Sequence, residues 1–155
     1  MTRKTFYEDI VIGEAVRFGA VPVVREEVIA FASKYDPQPF HLSDEAAART
    51  QFGRLAASGW HTCGMAMSLI VQYFQEIGYQ SLGGGGVDEL RWMVPVYPGD
   101  VLSVELSVLA KRRSATRPAM GLLKQQTVVL NQDGVAVCRF LSDWLVRTRD
   151  PEGTD

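Results

Sequence analysis

Apolar residues change period along this chain, dividing it into a helical first half and a β-like second half. Residues 7–24 hold short apolar runs broken by Gly13, Gly19 and Pro22, which predicts a surface segment with one or two short strands. Over 25–34 the spacing becomes helical. Val28, Phe31, Ala32 and Tyr35 share a face, and Glu26 and Glu27 stand where the helix dipole favours negative charge. Ser43-Asp44-Glu45 ahead of three alanines reads as an N-cap with two acids in the first turn, opening a short helix that ends before Gly53. A long helix is predicted from Ser58-Gly59, with Trp60, Cys63, Gly64, Met67, Ile70, Val71, Phe74 and Ile77 on its apolar face and Gly78 as its stop.

Beyond that helix the period falls to two. Residues 87–94 read as a strand, and Leu102, Val104, Leu106, Val108 and Ala110 alternate with mostly polar partners. Residues 122–130 and 135–146 follow, joined by the hairpin signal Asn131-Gln132-Asp133-Gly134, and Ala136, Cys138, Phe140, Trp144 and Val146 share a face. Helices followed by four long strands predict an α+β fold, in which an antiparallel sheet covers its buried face with a helix.

Composition narrows this picture. A chain of 155 residues, 46% hydrophobic, suits one domain with a real core, expected over 1–148, with 149–155 as a frayed polar tail. The net charge of -2 and a single basic cluster, Lys111-Arg112-Arg113, argue against nucleic acid as a partner. Cys63 and Cys138 lack the spacing of a disulfide framework or zinc site, so both are expected reduced and buried. No apolar run is long enough for a membrane helix, and Glu8, Asp9 and Glu14 interrupt any signal-peptide pattern, so the cytoplasm is the expected location. The run Gly83 to Gly86 lacks the Gly-Lys-Ser/Thr of a phosphate loop and is expected to be a flexible entry into a strand.

The candidate chemistry lies at Tyr35-Asp36-Pro37-Gln38-Pro39-Phe40-His41. Two prolines bias Asp36 and Gln38 toward extended backbone, and Asp36 can share a small reactant with His41 only if the chain turns near Pro39. An imidazole can accept and donate a proton near neutral pH, while a carboxylate orients a water and supports the charged ring. The start of the long helix adds backbone N–H groups and the positive end of its dipole, and Gly59 allows a ligand to come close.

These residues resemble the MaoC-like dehydratase family, whose signature runs Asp-x-Asn-Pro-aliphatic-His and whose members include (R)-specific enoyl-CoA hydratases with the hot-dog fold. The resemblance extends through residues 54–62, 87–92 and the loop 95–100, and so spans most of the chain. It implies a long central helix wrapped by a five- to six-stranded antiparallel sheet, usually as a homodimer. It also implies addition of water to a trans-2-enoyl-CoA, or its reversal, with Asp36 and His41 holding and activating that water. Gln38 stands for the motif Asn, one methylene longer with the same donor and acceptor groups. Phe40 replaces a smaller residue and Tyr35 a glycine, which reshapes the acyl pocket.

The Gly59 N–H is expected on the thioester oxygen, and Ser58, Phe40, Trp60, His61 and Trp92 complete the candidate oxyanion and substrate-binding set. CoA would enter only as part of the substrate, with no cofactor and no metal. His61 and Cys63 are two apart on a helix and point in different directions, which opposes a shared metal with His41. Lys111, Arg112, Arg113 and Arg117 are candidates for contact with CoA phosphates. Two other readings stay open: a thioesterase, although residues 60–77 offer only Glu76 as a carboxylate, and a non-catalytic acyl-CoA-binding or interaction subunit, motivated by Gln38 and Phe40.

Overall fold

The computed structural model describes residues 4–153. A 3-10 turn at Tyr7–Asp9 precedes β1 (Ala15–Pro22), α1 (Arg25–Tyr35), a 3-10 turn at Pro39–His41, α2 (Asp44–Ala47) and α3 (Gly59–Glu76). The strands β2 (Ser81–Trp92), β3 (Val101–Arg113), β4 (Met120–Leu130) and β5 (Ala136–Arg147) complete it. They form one sheet in the order β1-β3-β4-β5-β2, antiparallel at every pairing.

Alternation decides how the sheet meets the helix. Leu102, Val104, Leu106 and Val108 of β3 are buried, as are Leu123 and Val129 of β4 and Phe140 of β5. Met65, Ala66, Leu69, Ile70 and Phe74 of α3 pack into one core with Leu102, Val104, Leu106, Val129 and Phe140, while Val108 and Leu123 join a smaller cluster with Tyr7 and Val146. Each such side chain taken from water contributes about 1.5–3 kcal/mol, so the sheet has to wrap the helix to cover it. The result is the hot-dog fold, one long helix in the curve of an antiparallel sheet.

Two expectations are corrected. The buried side of α3 is His61, Thr62, Met65, Ala66, Leu69, Ile70 and Phe74, whereas Trp60, Met67 and Val71 are exposed. The helix is apolar nearly all round, so periodicity named a stripe that includes its outer face. The four-glycine run is not an entry loop but part of the edge strand β2, paired with β5 from Ser81 onward through three register shifts. Gly83 takes φ +109 at one of them, a conformation that a side chain would strain.

The basic residues at the far end of β3 are largely spent on structure. Lys111 Nζ donates to the carbonyls of Tyr7 (3.2 Å) and Ile10 (2.7 Å), and Arg113 donates to Pro118 and Asp150 carbonyls and pairs with Glu8. Neither Lys111 nor Arg113 lines the cavity described next. The polar end is tied as well: Arg149 N–H donates to Glu8 (2.9 Å) and the Arg149 guanidinium donates to Asp9 (2.6 Å).

Candidate active site

α1 ends by delivering its last hydrogen bond from Asp36 N–H to the Ala32 carbonyl (2.9 Å), anchored by Val28 and Ala32, which are fully buried. Asp36 then leaves helical geometry at φ -154, ψ 67, because Pro37 excludes the α region for the residue before it. Gln38 N–H closes back on the Asp36 carbonyl (2.8 Å) and Pro39 opens a 3-10 turn in which His41 N–H meets the Gln38 carbonyl (2.9 Å). The turn expected at Pro39 therefore brings two side chains five residues apart together. Ser43 caps α2 immediately afterwards, accepting from Ala46 N–H (3.2 Å).

His41 is buried, and its Nδ1 lies 2.7 Å from the Ala56 carbonyl. A carbonyl only accepts, so Nδ1 carries a proton and the Nε2 edge of the ring faces Asp36 Oδ2, 3.4 Å away. In the unprotonated form of the ring Nε2 and Oδ2 are both acceptors, a pair suited to one water donating to both. Asp36 is held from behind: Ser58 Oγ donates to Oδ2 (2.8 Å) and Gln38 Nε2 donates to Oδ1 (2.8 Å). Partial burial pushes the Asp36 carboxyl up, but those two hydrogen bonds and the neighbouring His41 outweigh it and hold the group below the usual carboxylate range.

Gly59 begins α3, and Ser58 Oγ accepts from Trp60 N–H (3.3 Å). First-turn N–H groups have no acceptor within the helix, so the Gly59 N–H is available to an anion at the positive end of the dipole. The Trp92 indole donates to the Gly59 carbonyl (3.0 Å) and lies so close that a Cβ on residue 59 would meet it at 2.4 Å. Glycine is required there for space. Trp60 meets Trp92 edge-on at 5.0 Å.

Asp36, Gln38, Phe40, His41, Gly59, Trp60 and Trp92 line one cavity of about 530 Å³. Of the remaining expected residues, Ser58 is fully buried behind it and acts on Asp36, and His61 does not line it. His61 stacks on Phe31 of α1 at 4.8 Å and 8°, with Nδ1 unpartnered among the described residues. Burial holds its imidazole below the usual range, against an opposing pull from Glu27. Gln51, Phe52, Thr62 and Met93 also line the cavity and escaped the sequence reading. Phe52 lies in an irregular turn and announces nothing; only its contacts with Phe40 (5.1 Å) and His41 (5.8 Å) reveal it. Among the described residues no three His, Cys, Asp or Glu side chains converge as a metal site.

A hot-dog domain whose Asp-His turn faces the head of its central helix has relatives. Residues 9–129 match the family described as MaoC like domain, and the chain belongs to that family of hydratases and dehydratases. It is similar to the MaoC-like dehydratase of Rhodospirillum rubrum in crystal structure, with TM-score 0.85 and 40% identity over 94% of this chain and 99% of that one. The 3-hydroxybutyryl-CoA dehydratase of Methylorubrum extorquens is 30% identical over 143 residues, 88% of this chain and 85% of that protein. The uncharacterized protein YdeM of Bacillus subtilis is 27% identical over 133 residues, 84% of this chain and 90% of that protein.

Proposed function

We propose that this protein adds water to a 2-enoyl-CoA thioester to form the 3-hydroxyacyl-CoA, and runs the reverse dehydration, with Asp36 and His41 as the catalytic pair. The observation that carries this reading is the setting of His41: Nδ1 lies 2.7 Å from the Ala56 carbonyl, which takes its N–H, and Nε2 faces Asp36 Oδ2 at 3.4 Å, free to accept a proton from water when the ring is unprotonated. A water between them adds its oxygen to C3 of the enoyl group as Nε2 takes its proton. The electron pair of the double bond moves onto the thioester oxygen, where the Gly59 N–H receives the developing charge. The imidazolium, supported by the Asp36 carboxylate, returns that proton to C2, so one water is consumed. No electrons are exchanged with an outside group, and the reaction calls for no cofactor beyond the CoA of the substrate.

Exposed apolar side chains on α3 and β2 support a second copy of the chain as partner. Trp60, Met67 and Val71 on α3 and Val87, Trp92, Met93 and Val94 on and beside the edge strand β2 are exposed apolar residues. A second copy covering them makes a homodimer, and the expected setting is the cytoplasm.

The test is loss of enoyl-CoA absorbance on hydration. Asp36→Asn and His41→Ala are each expected to lower kcat about 10²- to 10⁴-fold while the fold is kept. Unchanged turnover in either variant sinks the assignment. Release of free thiol from acyl-CoA would point to a thioesterase, and tight CoA-ester binding without turnover to a non-catalytic subunit.

A further inference from the structure

Phe52 stands against the His41 ring from an element outside the catalytic turn, and its position bears on which acyl groups fit. Its ring centroid lies 5.1 Å from Phe40 and 5.8 Å from His41, and Phe40 meets His41 edge-on at 4.7 Å. Both phenyl rings line the cavity beside the imidazole. Phe52 is also pinned. Its N–H donates to Thr50 Oγ1 (3.2 Å), its carbonyl accepts from the Tyr97 hydroxyl (2.6 Å), and the Arg54 guanidinium lies 4.0 Å over the Tyr97 ring. A half-buried phenyl in a surface turn needs such tethers to keep one position.

We infer that Phe52 is the end wall of the acyl pocket and restricts the substrate to short acyl chains. This rests on the hydration reading. If the thioester oxygen meets the Gly59 N–H and C3 lies at the water between His41 and Asp36, carbons beyond C3 start beside the imidazole and run into the two rings. Phe40 is embedded in the catalytic turn next to His41, so changing it disturbs the chemistry as well as the room. Phe52 sits on a separate turn held by backbone tethers, and truncating it alters mainly the space.

The experiment compares kcat/KM for crotonyl-CoA and trans-2-octenoyl-CoA in the wild type, Phe52→Ala and Tyr97→Phe. The wild type is expected to favour the four-carbon substrate by at least about tenfold, since each methylene forced on or removed from a fitted pocket changes discrimination by about that factor or more. Phe52→Ala is expected to cut the preference at least about fivefold through a gain on the longer chain, and Tyr97→Phe, which keeps the ring and loosens its tether, by a smaller factor in the same direction. Should Phe52→Ala fail to fold, Phe52→Leu shifts the ratio the same way. A wild-type enzyme that prefers octenoyl-CoA, or an unchanged ratio in the Phe52 variants, overturns the wall while leaving hydration intact. No turnover of either substrate by the wild type overturns the hydration reading and the wall with it.

Discussion

The two ends of α3 treat buried polar groups in opposite ways. At its start, Ser58 is fully buried yet donates to Asp36 and accepts from Trp60, while His41 and Gln38 are each committed to a partner. Beyond its other end, Tyr79 Oη and, on β4, Gln125 Oε1 and Thr127 Oγ1 are buried with no partner among the described residues. Tyr79 and Gln125 border a second cavity of about 160 Å³, and burial raises the Tyr79 hydroxyl pKa. An unsatisfied buried polar group costs about 1–3 kcal/mol, whereas a satisfied one fixes geometry. The difference teaches where this fold keeps precision: at the helix head, where two hydrogen bonds fix the Asp36 carboxylate and favour its ionised form.

Removing a partner at the head should hurt most. Ser58→Ala deletes the donor on Asp36 Oδ2 and is expected to lower kcat/KM by about tenfold or more, a loss near 1.4 kcal/mol. It should also move the acid limb of the pH profile upward. Asp36 is depressed in the fold, so its stabilising contribution is present above the ordinary carboxylate value and lost as pH falls through the folded value. Losing the Ser58 donor narrows that window, and an unmoved acid limb would show that Ser58 does not set the carboxylate.

At the far end the sign reverses. Gln125→Leu removes an orphaned acceptor that is 2% exposed and is expected to raise stability by about 1 kcal/mol in urea unfolding, with hydration unaffected. A drop in stability of similar size would mean that Gln125 has a partner in solution and that the contrast between the two ends is false. The smallest effect is expected at His61, the exception at the helix head. Its depressed value means that the unfolded chain binds the proton first, so stability is full above about 6.5 and declines as pH falls below it. His61→Phe, which keeps the stack on Phe31, should flatten that decline between pH 6.5 and 5; a slope that persists would place its origin elsewhere.

Local physics made much of this legible in the residues alone. Pro37 and Pro39 dictate an extended residue and then a turn, Ser43 and Ser58 announce two helix starts, and the period-two run from Leu102 to Val108 declares a strand with one buried face. The α+β class and the turn from Asp36 to His41 follow from such short-range rules, and the resemblance carried by the Asp36-to-His41 spacing implied the hot-dog architecture. Tertiary structure decided what those rules leave degenerate. A helix apolar on most sides does not choose which side to bury; the curve of the sheet chose Met65, Ala66 and Leu69 over Met67 and Val71. Four glycines carry no strand propensity, and only the ladder to β5 made them an edge. The hand of Ser58 on Asp36, the carbonyl of Ala56 that sets the His41 tautomer, and the ring of Phe52 against it join residues 22, 15 and 11 positions apart. Contacts between such segments exist only once the elements have packed, because backbone preference acts over a few residues while these pairings are fixed by the shared core.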